Sequence, residues 1–287
     1  MKRQEKAYYH NSFSTVIESK SYDVPIYRYI PFDYLLHLLR THYLWVGPTK
    51  LWDDTYENFL TKAKFQWDST PISYLGFLPG FYGQCWTLQK ETDALWRIYS
   101  HDKKGVRIKS RINKVLGASI NEANLKPLST RIRIIGQIKY LSKNQIKKWI
   151  EKQNEKIIND KTLVESLFIK RKEFVHEKEV RLIIHKNIDE EEESKGIEHN
   201  HIKLAIEPNE LIEEITFDPR LRNEDFKTYK QVVQKMNYTN KITKSKLYEF
   251  ERPTIKNSQP PTMGIGHSRT KPTQKPSYAP PGTLPHI

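Results

Sequence analysis

Hydrophobic and polar positions follow two different periods in the N-terminal part of the chain. Pro25–Ile30 is rich in aromatic and β-branched residues and is bounded by prolines, which predicts a strand. Leucines in residues 32–42 recur with the spacing of one helical face and predict a short amphipathic helix. Residues 43–46 predict a second strand that stops at a Gly-Pro pair. This strand–helix–strand unit is compact and places Arg28 beside the second strand.

Similar patterns continue to about residue 250. Further strands are predicted over residues 82–87, 104–109, 131–141, 176–185, 201–206 and 245–250. Further helices are predicted after Asp93, which is expected to cap its helix, and over residues 142–158, 163–171 and 224–236. Strands and helices interleave without a linker, so the prediction is a single α+β domain over residues 21–251. Residues 1–20 are predicted to be a flexible arm, and residues 188–196 an acidic loop.

The C-terminal segment differs in composition from the rest of the chain. From Arg252 onward it holds eight of the 16 prolines, five Lys or Arg residues and no Asp or Glu. Proline-rich, polar sequence of this kind does not bury enough apolar surface to fold, so residues 252–287 are predicted to be a disordered tail. The whole chain carries a formal net charge of +14. This favours contact with polyanions, nucleic acid above all, although a merely solvated basic surface is an equally good interpretation.

Several classes of protein are disfavoured by what the sequence lacks. The single cysteine, Cys85, excludes an intramolecular disulfide and a four-cysteine zinc site. Neither a G-x-G-x-x-G nor a Walker sequence occurs, which argues against dinucleotide-fold dehydrogenases and P-loop ATPases. No apolar run approaches the ~20 residues that cross a bilayer, and the N-terminus lacks the apolar core of a signal peptide. The expectation is a cytoplasmic protein without a membrane contact.

Two acidic residues lie close together in the predicted strand at residues 176–185. Side chains alternate along a strand, so Glu177, Glu179 and Arg181 share one face, whereas the other face is apolar. The two carboxylates would be ~7 Å apart and repel each other unless a cation or a polar ligand lies between them. The ordinary alternative is an exposed edge strand in which Arg181 neutralises Glu179.

A series of short motifs runs in a fixed order from Ile26 to Phe250. In order and spacing it resembles a large, mostly uncharacterised family of bacterial and phage proteins. The motifs are Tyr27-Arg28-Tyr29, Leu44-Trp45-Val46-Gly47-Pro48, Asp53-Asp54-Thr55-Tyr56-Glu57, Cys85-Trp86-Thr87, Leu95-Trp96-Arg97-Ile98-Tyr99, Lys104-Gly105-Val106, Glu177-Lys178-Glu179-Val180-Arg181, Ile215-Thr216-Phe217-Asp218-Pro219-Arg220 and Ser245-Lys246-Leu247. The family usually has Asn-Asp-Pro where this chain has Asp53-Asp54-Thr55, so the turn that the proline fixes is not carried over.

The layout of this family resembles the ADP-ribosyltransferase plan, which implies a split sheet and NAD⁺ as a substrate. The resemblance places Arg28 on the phosphate or ribose of NAD⁺, and Tyr29 or Trp45 in a stack on nicotinamide. It places Glu179 on the hydroxyls of the nicotinamide ribose and Glu177 on the acceptor. Arg181 is expected to contact the cofactor as well, and further site candidates are Tyr27, Asp54, Glu57, Trp96 and Tyr99.

These residue types suit the chemistry of ADP-ribose transfer. Departure of nicotinamide leaves an oxocarbenium-like sugar, which a nearby carboxylate stabilises best in a dry cleft. A guanidinium binds phosphate with two parallel hydrogen bonds. Trp96 and Tyr99, three residues apart on a predicted helix, have a core role as their alternative. The resemblance predicts an NAD⁺-consuming transferase that acts on nucleic acid or protein, in the manner of a toxin or phage-defence effector, with an inhibitor or defence-system partner and no metal.

Two other functions are compatible with the sequence. The first is a Mg²⁺-dependent nuclease, in which carboxylates bind the metal and the basic surface holds nucleic acid. Its candidate ligands are Asp53, Asp54, Glu57, Glu177 and Glu179. The common nuclease pattern has a lysine two positions after a strand carboxylate, and that lysine does not occur here. The second alternative is a non-catalytic, basic and aromatic-rich module that binds nucleic acid.

Overall fold

The structure is a computed structural model that describes residues 7–11, 23–52, 54, 56, 57, 59, 60, 80–120, 130–153, 160–186 and 201–254. The chain forms two units, residues 1–249 and residues 250–287. In the second unit, residues 250–254 are described, and they form neither helix nor strand. The predicted acidic loop at 188–196 and most of the predicted tail lie outside the described residues.

Strands and helices alternate along the first unit. The strands are β1 (Ala7–Asn11), β2 (Pro25–Ile30), β3 (Tyr43–Pro48), β4 (Phe81–Thr87), β5 (Val106–Arg111), β6 (Thr130–Gln137), β7 (Lys139–Leu141), β8 (Ile169–Arg171), β9 (Glu179–Lys186), β10 (Ile202–Ala205), β11 (Glu214–Phe217) and β12 (Lys241–Lys244). The helices are α1 (Phe32–Thr41), α2 (Asp93–Tyr99), α3 (Ile112–Ile120), α4 (Lys143–Glu151), α5 (Asp160–Leu167), α6 (Pro208–Leu211) and α7 (Asn223–Lys235). Thr49–Leu51 and Lys172–Glu177 form 3₁₀ helices.

One large sheet organises these elements. Its main path runs in the order β1-β6-β9-β4-β2-β5-β11-β12, with β3 and β10 as a branch from β4. Neighbouring strands are antiparallel except for the parallel pair of β11 and β12. A separate, parallel pair is formed by β7 and β8. The predicted α+β class, with a mixed sheet flanked by helices, is confirmed.

The sheet divides at β4. On one side β4 pairs with β9 along its whole length. On its other side, the start of β4 pairs with β3 through Gly83 and Gly47, whereas its end pairs with β2 through Thr87 and Tyr27. The middle of β4 therefore faces a gap between two diverging strands. The Gln84 side chain spans part of this gap, because its Nε2 donates a hydrogen bond to the carbonyl of Trp45 at 2.7 Å.

The core follows the alternation that the sequence predicts for β9. Val180, Leu182 and Ile184 belong to the main apolar cluster, and α1 adds four buried side chains to it. Each fully buried Leu or Phe of this kind contributes roughly 1.5–3 kcal/mol. Ile183 points to the opposite face and packs in a second cluster with residues of α5. The second face of β9 is therefore also packed against other residues of the protein, and its charged side chains, Glu179 and Arg181, are buried there.

Two predicted elements near the site have different structures. Residues 172–177 form a 3₁₀ helix, and β9 begins only at Glu179, so the prediction of one strand over residues 176–185 was wrong for its first part. Between them, Lys178 adopts a left-handed conformation with φ of 43°. The helix predicted over residues 163–171 ends at Leu167, and the chain continues as β8 because residues 169–171 pair with β7.

Smaller differences occur elsewhere in the first unit. The segment 131–141 is divided between β6 and β7, and residues 245–250 are not a strand, since β12 is the last one. Thr92, rather than Asp93, caps α2 by accepting a hydrogen bond from the backbone N–H of Leu95. Part of the predicted N-terminal arm pairs as β1 with β6. None of the helices in the described ranges has the length and apolar character needed to cross a membrane.

Candidate active site

The gap beside β4 opens into a cavity of about 440 Å³, referred to below as the cleft. Its volume lies within the usual range of ligand pockets, roughly 300–1,000 Å³. Arg28 of β2 and Glu179 of β9 both line it. Nine of the predicted site residues line the cleft together: Tyr27, Arg28, Tyr29, Trp45, Glu57, Tyr99, Glu177, Glu179 and Arg181. Asp54 and Trp96 do not.

Three carboxylates at the base of the cleft surround a single ammonium group. The Nζ of Lys170 lies 3.1 Å from Oε1 of Glu57, 2.6 Å from Oε2 of Glu177 and 3.0 Å from Oε2 of Glu179. All four residues are at least nine-tenths buried. With Arg181 they form what is called here the charged cluster, which has three acidic and two basic groups and therefore an excess of one negative charge.

Arg181 holds the charged cluster together from below. It is fully buried, and its Nε donates to Oε1 of Glu179 at 2.5 Å while its Nη2 donates to Glu57 at 2.7 Å. Its Nη1 donates to the carbonyl of Leu167 at the end of α5. The indole of Trp52 covers the guanidinium at 4.1 Å. These contacts engage the nitrogen atoms of Arg181, so the residue fixes the carboxylates rather than offering free donors to a cofactor.

The two glutamates of the E-x-E motif have different electrostatic environments. Burial raises the pKa of Glu179, but the contacts with Arg181 and Lys170 outweigh burial and hold that pKa at about 2. Burial also raises the pKa of Glu177, and Lys170 offsets this effect only in part, so the pKa stays above its ordinary value. Glu179 is thus a permanent carboxylate, whereas Glu177 is the carboxyl group better able to take up a proton.

The left-handed residue Lys178 explains how both glutamates reach the same lysine. In a continuous strand, Glu177 and Glu179 would lie ~7 Å apart. The turn at Lys178 lets both carboxylates meet Lys170, and the carbonyl of Lys178 accepts a hydrogen bond from Leu88 next to β4. A lysine with positive φ is a sparsely populated conformation that costs of order 1–3 kcal/mol. Its position between two buried site residues is typical of backbone strain at functional sites.

Arg28 enters the cleft from the opposite side with an uncompensated charge. Among the residues that the structure describes, neither a carboxylate nor a carbonyl oxygen accepts a hydrogen bond from its guanidinium. Burial lowers the pKa of Arg28, and the nearby groups that oppose this effect are the thiol of Cys85 and two tyrosines. A partly buried guanidinium of this kind is a favourable partner for an anionic ligand.

Aromatic side chains form the wall between the two charged sides of the cleft. Tyr29 stacks on Tyr99 with ring centroids 6.2 Å apart, and its edge contacts Trp96 at 4.8 Å. Trp96 is completely buried, so of its two predicted roles the structure has the core role. Tyr99 is 44% exposed, and its hydroxyl lies 3.5 Å from Oε1 of Glu177. Tyr99 therefore connects the aromatic wall to the charged cluster.

Lys170 is the important site residue that the sequence analysis missed. It lies in a segment whose apolar spacing is typical of a helix, and nothing in that spacing indicates a turn into β8. Cys85, expected to be buried and inert, also lines the cleft beside Glu179. Burial, followed by the charge of Glu179, raises the pKa of its thiol well above the ordinary value, so Cys85 is a neutral group.

The four predicted magnesium ligands that the structure describes are engaged with basic side chains of the protein. Asp54 forms two hydrogen bonds with the guanidinium of Arg171, at 2.8 Å and 3.2 Å. Glu57, Glu177 and Glu179 converge, but the ammonium of Lys170 lies at the centre of the three. Within the described ranges, which omit Asp53, no group of three or more acidic, His or Cys residues is placed to hold a metal ion.

One protein family matches part of the chain. The family described as "Protein of unknown function (DUF2971)" matches residues 95–182, a segment that runs from α2 into β9. That segment includes Tyr99, Lys170, Glu177, Glu179 and Arg181. No curated protein sequence matches the chain.

Solved structures of DarT from Thermus sp. 2.9 are similar to the chain at low identity. The structure in complex with NAD⁺ matches with a TM-score of 0.35 and 13% identity, over 78% of this chain and 96% of that chain. The structure in complex with ADP-ribosylated ssDNA matches with a TM-score of 0.35 and 14% identity, over 78% of this chain and 95% of that chain. At such low similarity, the function of this chain has to be inferred from its own cleft.

Proposed function

We propose that the protein binds NAD⁺ in the cleft and transfers ADP-ribose to an acceptor, nucleic acid or protein. The observation that carries the proposal is that Arg28, which has no carboxylate partner among the described residues, lines the same cavity as two buried carboxylates, Glu177 and Glu179. The cavity thus offers a positive end for phosphates and a negative end for a developing sugar cation. A role as a cytoplasmic toxin or phage-defence effector, implied by the resemblance, is part of this proposal.

The charge distribution fits the two ends of the substrate. Arg28 binds the diphosphate, since its partly buried guanidinium then gains an anionic partner, which it lacks among the described residues. Tyr29, which lines the cleft, stacks on the nicotinamide ring, for which a flat aromatic surface is suited. Glu179 accepts hydrogen bonds from the hydroxyls of the nicotinamide ribose, and its low pKa keeps it ionised at every physiological pH. Arg181 and Lys170 hold this carboxylate in place, so little reorganisation is needed during the reaction.

The chemical step in this proposal is a substitution at C1′ of the ribose. The bond between C1′ and the nicotinamide nitrogen breaks, and nicotinamide leaves with the electron pair. Glu179, in a cluster with one excess negative charge, stabilises the positive charge that develops on the sugar. The nucleophile of the acceptor forms a bond to C1′ and gives its proton to Glu177, whose raised pKa suits a general base.

The test is an assay of the purified protein with NAD⁺ labelled in its adenylate part. The wild-type protein is expected to release nicotinamide and to label an acceptor from cell extract. Glu179→Gln keeps the shape of the side chain and is expected to lower the rate at least about 100-fold. The matched control is Glu213→Gln, since Glu213 also pairs with basic side chains but does not line the cleft. Absence of nicotinamide release by the folded wild-type protein, or equal rates in wild type and Glu179→Gln, would refute the proposal.

A further inference from the structure

A second cavity lies beside the cleft. Its volume is about 380 Å³, and its lining residues are Asp33, Tyr34, His37, Trp45 and His201. Three of them, Tyr34, Trp45 and His201, also line the cleft, so the two cavities share a wall. A group bound in the second cavity is therefore next to whatever the cleft binds.

Trp45 gives the second cavity an aromatic wall that two histidine rings and a lysine ammonium group surround. The Trp45 ring has His37 at 5.5 Å and His201 at 5.9 Å between ring centroids. The Nζ of Lys203 lies 4.8 Å from the centre of the same ring. Lys203 is opposite Trp45 in the pairing of β10 with β3, so this arrangement follows from the sheet register. Aromatic rings combined with a cation are the usual surface on which proteins stack nucleobases.

Trp45 also presents a donor without an acceptor. Its indole Nε1 is buried, and none of the residues that the structure describes offers it a hydrogen-bond acceptor. Buried N–H groups in folded proteins nearly always have a partner, and an exception calls for an explanation. Because this nitrogen is closed to solvent, a bound base meets the ring of Trp45 rather than this donor. On the cavity rim, the carboxylate of Asp33 is available to accept from an exocyclic amino group.

The charge around the second cavity indicates a ligand with phosphates. Arg40 lies three residues after His37 on the exposed side of α1 and so shares a face with it. Lys203 of β10 contacts the ring of Trp45, so the second basic side chain lies next to a residue that lines the cavity, in a chain of net charge +14. An unmodified protein segment supplies no such regular anionic backbone, whereas single-stranded nucleic acid does.

We propose that the second cavity binds an unpaired nucleobase of single-stranded DNA or RNA, stacked on Trp45, and that this strand is the acceptor. The binding part of the proposal stands on the cavity alone, and the acceptor part rests on the proposed function. Tyr34, which is 65% exposed at the mouth of the cavity, closes over the base from the helix side. The nucleotide next to this base then reaches the cleft through the shared wall.

The experiment measures binding of fluorescein-labelled single-stranded DNA and RNA of about 12 nucleotides to the full chain without NAD⁺. The wild-type protein is expected to bind with an affinity that falls as the salt concentration rises. Trp45→Ala is expected to weaken binding about tenfold to a hundredfold, and Tyr34→Ala several-fold. Tyr34 is the safer test, because removing a largely exposed ring does not disturb the core. Lys203→Ala is expected to reduce the slope of log affinity against log salt concentration by about one, because one fewer counterion is released. The matched control is Lys227→Ala, which removes a lysine on the exposed side of α7.

The outcomes separate this inference from the proposed function. If the wild-type protein releases nicotinamide but all variants bind the oligonucleotides equally, the second-cavity proposal is wrong and the transferase proposal stands. If the variants lose affinity for NAD⁺ alone, the cavity belongs to the dinucleotide, which also overturns the inference. If acceptor label appears only in protein, the strand is not the acceptor. Oligonucleotide binding that depends on Tyr34 and Trp45 supports the site even if NAD⁺ is not consumed.

Discussion

Replacing Lys170 by methionine tests the electrostatic account of the charged cluster. Methionine is similar in length to lysine and apolar, so Lys170→Met removes the positive charge and leaves little empty space. Glu57, Glu177 and Glu179 then share a buried site with Arg181 as the one remaining basic group of the cluster. Removing one partner of a buried ion pair costs about 3–5 kcal/mol, because the other charge stays buried without compensation.

The pKa of Glu179 gives a second way to work out how much stability Lys170→Met loses. Folding lowers this pKa from 4.5 to about 2, which corresponds to about 3 kcal/mol of stability at neutral pH. Lys170 supplies part of that effect and Arg181 the larger part. Because the carboxyl of Glu177 also depends on Lys170, a loss of about 3 kcal/mol near pH 7 is the expected result for Lys170→Met.

The variant is expected to depend on pH in a direction that identifies the cause. Without Lys170, the pKa of Glu177 rises further above its unfolded value, so the folded state binds more protons than the unfolded state between those two values. Stability of the variant relative to wild type then increases as the pH falls from about 7 to about 5. Below about pH 4.5 the wild-type protein itself loses stability, because the depressed pKa of Glu179 stabilises the folded state only while that group is ionised.

The assay is urea unfolding followed by tryptophan fluorescence at about pH 7 and about pH 5, with Lys227→Met as the control. Lys227 is exposed on α7, so its replacement is expected to change stability by less than ~0.5 kcal/mol. The reasoning fails if Lys170→Met is within ~1 kcal/mol of wild type at neutral pH. It also fails if the difference between the two proteins does not shrink at the lower pH, since a simple packing defect has no such pH dependence.

Three further predictions follow from particular contacts. Arg28→Ala is expected to weaken NAD⁺ binding about tenfold to a hundredfold in calorimetry with little change in the melting temperature, because the guanidinium has no carboxylate partner among the described residues. Gly83→Ala is expected to lower stability by about 1–3 kcal/mol in urea unfolding, since a Cβ there would overlap Cζ2 of Trp52. Ser142→Ala removes one half of the capping box of α4 and is expected to cost about 1 kcal/mol in the same assay.

Local patterns in the sequence were sufficient for the elements that carry Arg28 and for the apolar face of β9. Residues 25–30 and 32–41 have the predicted structures within one residue, because their apolar spacing and flanking prolines act within the segment itself. The split sheet implied by the family resemblance is also found, with Arg28 and Glu179 on the same cleft.

The parts that were not predicted depend on contacts between distant segments. The turn from α5 into β8 is stabilised by pairing with β7, about 30 residues earlier, and this pairing brings Lys170 into the cluster. The left-handed residue at position 178 is a lysine, so the usual Gly or Asn signal for such a conformation is absent. Sequence spacing placed the two glutamates on one face of a strand, whereas the turn at Lys178 and the position of Lys170 bring them together.

The charges of the cleft account for why so many ionisable groups are buried in one place. Glu179 alone in an apolar cavity would take up a proton, and a neutral carboxyl group stabilises a sugar cation poorly. Arg181 and Lys170 keep it ionised, yet two basic groups against one carboxylate would repel the cation that the proposed reaction forms. The carboxylates of Glu57 and Glu177 offset the charges of Arg181 and Lys170, so the charged cluster keeps one negative charge in excess. This charge lies on the side of the cleft opposite Arg28. In the proposed reaction, Lys170 thus has a positioning role that requires its charge, which is why its replacement by an apolar residue of equal length is the most informative perturbation of this site.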